Sequence, residues 1–294
     1  MCFHPKYFII KLFNHMTIAS RMKKMLIAVL LVFAATIGCM AANTANYKTI
    51  TYEMEYPGAT SNVSVDFPIG VQEPLRSAVI DYIFERLGTY KADQLPAPIS
   101  NKCDEETFKK FLSQLAENLA KTYGEEQREF AESMEDEGEA YTMTWYVNIS
   151  IEKAAETDKY VSYVYYFGDY EGGVHGERSE DGITIRKSDG KRITDIFKDD
   201  VEEAMQPLLW KYILPLDTPE DERKEYRKGI EEYLEYQKRD LLPLPSITFL
   251  TPDGIHLQYY YYSICPWSMG APLIVLPINE ARPYLTKQAA QLVK

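Results

Sequence analysis

Apolar residues alternate with polar ones in two early stretches of the chain. Ile50, Tyr52, Met54 and Tyr56 form one row of period two, and Val63, Val65 and Phe67 form another. Pro57-Gly58 separates them as a turn, so residues 42–70 read as two strands. The period then lengthens. Leu75, Val79, Tyr82, Ile83 and Leu87 fall on one face of a helix that Pro74 opens and Gly88 stops. Beyond a proline-rich loop (Leu95-Pro96-Ala97-Pro98-Ile99), Asp104 is placed to cap a second helix running to about Tyr123. Its stripe is Phe108, Phe111, Leu112, Leu115 and Leu119, at helical spacing. The acidic residues 125–139 read as a solvated continuation.

Period two returns at Met143, Trp145, Val147, Ile149 and Ile151, a half-buried strand with residues 160–167 as its antiparallel partner. Residues 183–186 and 191–194 flank Asp189-Gly190 as a hairpin. Two helices follow. One covers residues 198–212, with Pro207 predicted to kink or break it, and the other starts at Thr218-Pro219 with proline at its first position. Strands return at 247–250 and 255–262, joined by Thr251-Pro252-Asp253-Gly254, and at 273–277; a short helix at 279–285 ends the series. Helices grouped beside hairpins predict an α+β fold, antiparallel sheets with helices packed on one face.

The N-terminus changes this picture by adding an address. Arg21-Met22-Lys23-Lys24 is a cationic segment followed by an apolar run from Met25 to Gly38, the length of a signal peptide and short of the roughly 20 residues that span a bilayer. Met22 is the natural start, which makes residues 1–21 an extension and residues 22–41 the signal. Two processing readings compete: lipidation of Cys39 within Thr36-Ile37-Gly38-Cys39, or ordinary cleavage after Ala41. The expected location is the periplasm of a Gram-negative bacterium or its outer membrane through a lipid anchor, the only membrane contact expected. Removing five basic residues with the leader leaves 27 basic against 44 acidic ones, so the formal charge moves from −12 to −17. Such a surface repels nucleic acid and favours cationic partners at low salt. Cys103 and Cys265 then remain; in an oxidising compartment they are expected to pair, the alternative being two separately buried thiols.

Gly172-Gly173-Val174-His175-Gly176 is the most specific local feature, three glycines around one histidine at the end of a tyrosine-rich strand. With Asp189-Gly190-Lys191-Arg192-Ile193, Thr194-Asp195-Ile196-Phe197, Leu250-Thr251-Pro252-Asp253-Gly254-Ile255 and Tyr262-Ser263-Ile264-Cys265-Pro266-Trp267, it resembles the RsiV-like extracellular domain. That domain of unknown function belongs to lysozyme-sensing anti-sigma factors and accompanies PdaC-type peptidoglycan deacetylases and many Bacteroidetes lipoproteins. Val174 stands where alanine is more usual. Residues 47–87 are similar to the partner domain that precedes it, so the resemblance implies an N-terminal domain at 42–140 and an RsiV-like domain at 141–294. It implies the extracellular module alone, without a sigma-binding domain, a transmembrane helix or a deacetylase.

Catalytic signatures are sparse. His175 has only His256 as a second histidine beyond the leader, and no H-E-x-x-H, C-x-x-C, P-loop or G-x-S-x-G pattern occurs. A lone histidine between glycines reads first as a hydrogen-bonding element of a tight turn, and 44 acidic residues guarantee chance carboxylate pairs. No catalytic residue, metal or cofactor is assigned. The reading is a non-enzymatic envelope module that recognises a cationic, lysozyme-like protein or peptidoglycan. Its candidate contacts are Tyr170, Gly172, Gly173, His175, Trp267 and Met269. A peptidoglycan-acting enzyme using His175 with a carboxylate and a structural lipoprotein are the alternatives.

Overall fold

The two alternating rows form β1 (Tyr47–Tyr56) and β2 (Ala59–Pro68), antiparallel from Tyr47 opposite Pro68 to Tyr56 opposite Ala59. Gly58, at φ +84°, makes the turn. The structure is a computed structural model that describes residues 46–89, 92–136 and 142–293. The expected export signal and Cys39 lie outside the described residues. After β2 the chain makes a long crossover through α1 (Leu75–Leu87) and α2 (Glu105–Asp136) and returns as β3 (Trp145–Glu156), parallel to β2. The fold is of the expected α+β class, and this one pair is parallel in a sheet whose other described neighbours are antiparallel. Helices intervene between β2 and β3, and a helical crossover is how parallel neighbours are joined.

The α2 stripe behaves as its spacing predicts. Asp104 Oδ1 accepts from the Thr107 N–H at 2.8 Å and caps the helix. Phe108, Leu112, Leu115 and Leu119 are wholly buried, each worth about 1.5–3 kcal/mol of apolar burial. Met143 lies ahead of β3 and is exposed, unlike the alternating residues that follow it. The sheet continues antiparallel through β4 (Tyr160–Tyr170), β5 (Arg178–Arg186) and the short β6 (Arg192–Ile193), in the order β1-β2-β3-β4-β5-β6. α1 and α2 cover one face, enclosing a first core that includes Val63, Phe67, Ile149 and Tyr163.

The rest of the chain builds a second core. α3 (Glu202–Tyr212) and α4 (Glu220–Tyr236) precede a three-stranded antiparallel sheet of β7 (Ile247–Thr251), β8 (Gly254–Gln258) and β9 (Leu273–Leu276). α5 (Ile278–Ala281) and α6 (Lys287–Leu292) close it. Pro207 sits inside α3 without breaking it, at an exposed position. Pro219 is the N-cap of α4 rather than its first residue. β8 ends at Gln258, not at Tyr262, and α6 was absent from the sequence expectation.

Two further expectations are corrected. Residues 46–294 form one compact unit, and the boundary placed at residue 140 falls between the paired strands β2 and β3. The cores divide elsewhere: Tyr163 and Tyr165 of β4 belong to the first, while Tyr160 and Ile193 belong to the second. This division also explains why the Cys103–Cys265 disulfide does not form. Both thiols are free and buried, Cys103 in the first core and Cys265 in the second.

The two sheets meet where β7 packs on the face of β4 and β5 that α1 and α2 leave open. Leu250 donates its N–H to Thr184 Oγ1 at 2.8 Å, and its carbonyl accepts from Ser162 Oγ at 2.6 Å. The two hydroxyls lie 2.9 Å apart, so the Thr184 hydroxyl donates to Ser162 and the ring of hydrogen bonds closes. Gly182 belongs to the same seam, since a Cβ there would stand 2.2 Å from the Phe249 ring. Thr184→Val strands the Leu250 N–H in this buried place and is expected to lower stability by about 1–3 kcal/mol, read from urea unfolding. An unchanged midpoint would show that the ring is dispensable.

His256 lies on the second sheet, opposite Phe249 and stacked on it at 4.8 Å, with Nε2 3.0 Å from Thr251 Oγ1. Burial pushes its pKa down from 6.5 to about 4, against the weaker opposing pull of Asp253. Between those values the unfolded chain binds a proton that the native chain does not. The contribution is therefore whole above about 6.5 and is lost as pH falls toward 4. Relative to His256→Gln, the native chain is expected to lose on the order of 2 kcal/mol over that interval. Parallel pH profiles for the two proteins would contradict this.

Candidate binding cleft

β4 and β5 are joined by residues 171–177, and glycine decides their path. Gly172 and Gly173 hold φ of +91° and +87°, a left-handed pair that L side chains rarely adopt. Gly176 is required for another reason, because a Cβ there would stand 1.8 Å from the Asp169 carbonyl oxygen. Asp169 ties the loop's base: its N–H donates to Glu177 O at 3.1 Å, and its Oδ1 accepts from the Glu177 N–H at 3.2 Å. Tyr123 of α2 donates to Oδ2 at 2.7 Å. Burial raises the Asp169 pKa, while the Tyr123 hydrogen bond opposes the rise. Burial, then the carboxylate, pushes the Tyr123 phenol far above its ordinary value. Tyr170 steadies the tip by donating to Gly173 O at 3.1 Å.

The facing wall is residues 259–270. Tyr259 is buried, its hydroxyl donating to Pro243 O at 2.8 Å. The chain then turns at Tyr260–Ser263, with Tyr262 at φ +62°, an uncommon conformation for an aromatic residue that costs of order 1–3 kcal/mol. Tyr233 of α4 and Gln237 at its C-cap hold it there by donating to the Tyr262 carbonyl at 3.1 and 3.2 Å. Ile264 and Cys265 anchor the segment in the second core, and the Cys265 thiol, pushed up to about 11 by burial, donates to Gly270 O at 3.3 Å.

The two walls meet at Trp267. His175 stacks on it at 4.3 Å and 13°, and Tyr261 lies against it at 4.1 Å and 31°. Two rings centred so close on a single face would overlap, so the indole is held between them. Tyr262 Oη lies 3.4 Å from His175 Nε2, and Nδ1 faces Gly176 O at 3.1 Å. Neither partner is a carboxylate. Beside this clasp opens a cavity of about 550 Å³ with Arg86, Arg178, Glu177 and Asp181 on its polar side. Arg86 pairs with Asp181 at 2.9 Å, and Arg178 donates to Tyr261 Oη at 3.4 Å. Burial raises the Asp181 pKa against the pull of Arg86.

The structure thus brings His175 and Trp267 together. It places Tyr170, Gly172 and Gly173 behind the loop as its supports. Met269 is not an exposed contact: it is half-buried and packs against Gly229 of α4. Tyr261, Tyr262, Arg86 and Arg178 were missing from the expected site. The run of four tyrosines was visible, but reading it as strand spread it over two sheet faces. Among the described residues, no group of three or more histidine, cysteine, aspartate or glutamate side chains converges as a metal site. No described helix is long and apolar enough to cross a membrane.

The wall carrying Trp267 is also where comparison with known proteins finds its match. Residues 194–279 match the family described as protein of unknown function (DUF3298). A DUF3298 family member from Bacteroides fragilis has a solved structure that aligns with 84% of this chain and 97% of its own, at 17% identity and a TM-score of 0.61. The fold shared with that structure reaches well beyond the matched segment. A second DUF3298 family protein, from Pseudomonas aeruginosa, aligns with 83% of this chain and 96% of its own, at 17% identity and a TM-score of 0.44. No curated protein matches the chain. The matched segment includes the wall at residues 259–270, while the glycine loop lies ahead of it.

Gly176→Ala forces the loop off the Asp169 carbonyl. It is expected to destabilise by about 1–3 kcal/mol and to alter tryptophan fluorescence as His175 leaves Trp267. A variant with native stability and spectrum would show that the close approach is not needed.

Proposed function

We propose that this chain is an exported envelope recognition module that binds a basic protein ligand across the cleft, with lysozyme-like proteins as the first candidates. The observation that carries the reading is the clasp. Trp267 is fixed between His175 and Tyr261, leaving Tyr260 and Tyr262 about half exposed and Val174 fully exposed at the loop tip. Rigid aromatic residues around an apolar tip are the groups that dominate protein interfaces, since they bury large areas at small entropic cost. The formal charge of −12 adds long-range attraction for a cationic partner. Export supplies the setting, and the RsiV-like resemblance supplies the candidate.

Calorimetry of the full chain with hen-type lysozyme tests this reading. Saturable binding that survives physiological salt is expected, with association slowed as salt screens the steering. Val174→Asp and Tyr262→Ala are each expected to weaken binding by about tenfold or more. Absence of binding at low salt would remove lysozyme as the ligand, and binding indifferent to both substitutions would place the contact elsewhere.

A further inference from the structure

β1 has a strand neighbour on one side only, while β6, at the opposite edge of the same sheet, is two residues long. The ladder fixes which backbone groups of β1 face outward. Asn46 O accepts from the Ile69 N–H at 2.9 Å, so the even-numbered residues turn their N–H and C=O groups to β2. Tyr47, Thr49, Thr51, Glu53 and Glu55 turn theirs away, and no described residue takes those groups. Native edges of this kind are kept short, or are broken by proline, a bulge or an outward lysine. β1 runs for ten residues in unbroken register with neither proline nor glycine. Its one lysine, Lys48, is held by Glu105 of α2 at 2.6 Å.

The side chains decide what fits beside this edge. On the helix face Ile50 is buried, whereas Tyr52, Met54 and Tyr56 are only half-buried. Thr49, Thr51, Glu53 and Glu55 line the other face and are exposed. A second β1 laid parallel and in register stacks Glu53 on Glu53 and Glu55 on Glu55, like charges directly opposite. Laid antiparallel about Thr51, it sets Thr49 against Glu53, Tyr47 against Glu55 and Ile50 against Tyr52. Tyr47, Thr49, Thr51, Glu53 and Glu55 then all exchange backbone hydrogen bonds, and helix face meets helix face. Other centres do worse. About Ile50, Glu55 runs past the start of β1; about Tyr52, Tyr47 faces Pro57, which has no N–H; about Glu53, the carboxylate meets its own copy.

We infer that two copies of this chain associate edge to edge through β1, antiparallel about Thr51, into one sheet continuous across both. The partner's strand covers the apolar surface that Tyr52 and Met54 leave exposed, and it satisfies the outward backbone groups. The same patch serves on both copies, so the pairing closes as a two-fold dimer and does not grow into a fibre. No residue lining the cleft lies on β1 or β2, so the clefts of both copies stay open. The inference is independent of the ligand proposed for them.

Sedimentation of the full chain between about 1 and 200 μM tests this, with a reversible dimer expected. Both copies are acidic, so added salt is expected to tighten the dimer. Thr51→Pro removes only an outward N–H, which an edge strand tolerates, and is expected to weaken dimerisation about tenfold or more. Cysteine crosslinking reads the register whether or not that variant folds. At the two-fold centre the Thr51 Cα atoms lie about 5.5 Å apart, within disulfide range, whereas Glu55 and its own copy are about 27 Å apart. Thr51→Cys is therefore expected to crosslink under mild oxidation, above the background of the parent chain, and Glu55→Cys is not. A chain that stays monomeric throughout overturns the inference and leaves the edge to a strand of another protein. A dimer that survives Thr51→Pro, or equal crosslinking at the two positions, also overturns it.

Discussion

The peptide group of Leu250 is the joint on which the molecule turns. β7 is an edge strand of the small sheet, and edge strands carry a row of backbone groups without ladder partners. Here that edge is buried, so its N–H and carbonyl must be satisfied from within. Ser162 and Thr184 do so from β4 and β5, through a closed ring of short hydrogen bonds. Hydroxyl groups thus dock one sheet on the other where a continuous ladder would have fused them. Without this joint, Trp267 and His175 would belong to separate cores and have no reason to meet.

Around the joint, backbone exceptions gather where the clasp forms. Gly172 and Gly173 are left-handed, Gly176 touches a carbonyl that no Cβ could approach, and Tyr262 holds a positive φ with two hydrogen bonds from α4 on its carbonyl. Strain of this kind persists only where its surroundings over-determine it. Asp169 fixes the loop from below through Tyr123, so the first core sets the position of His175 and the second core that of Trp267.

Much of the fold was legible because burial follows period. The α2 stripe, the Trp145–Ile151 row and the Asp189-Gly190 hairpin all fall where alternation and turn residues put them. What escaped was non-local. The parallel partnership of β2 and β3 depends on where a long crossover returns, and no local pattern encodes that. The tyrosines at 259–262 have strong strand propensity, yet Ser263 and the left-handed Tyr262 turn the chain after Gln258. Local propensity lost there to the packing of α4. The glycine loop announced itself through composition, but its partner was hidden in a segment that read as strand. Pairing of Cys103 with Cys265 was inferred from compartment chemistry, which knows nothing of which core each thiol occupies.

The central claim is that His175 and Trp267 form a physical link between the two cores. A double-mutant cycle on unfolding free energy, using His175→Ala, Trp267→Ala and the pair, measures that link directly. A coupling of about 0.5–1.5 kcal/mol, the range for stacked aromatic side chains, is the result the account predicts. Additive effects, with coupling indistinguishable from zero, would mean that the rings are neighbours without being a clasp.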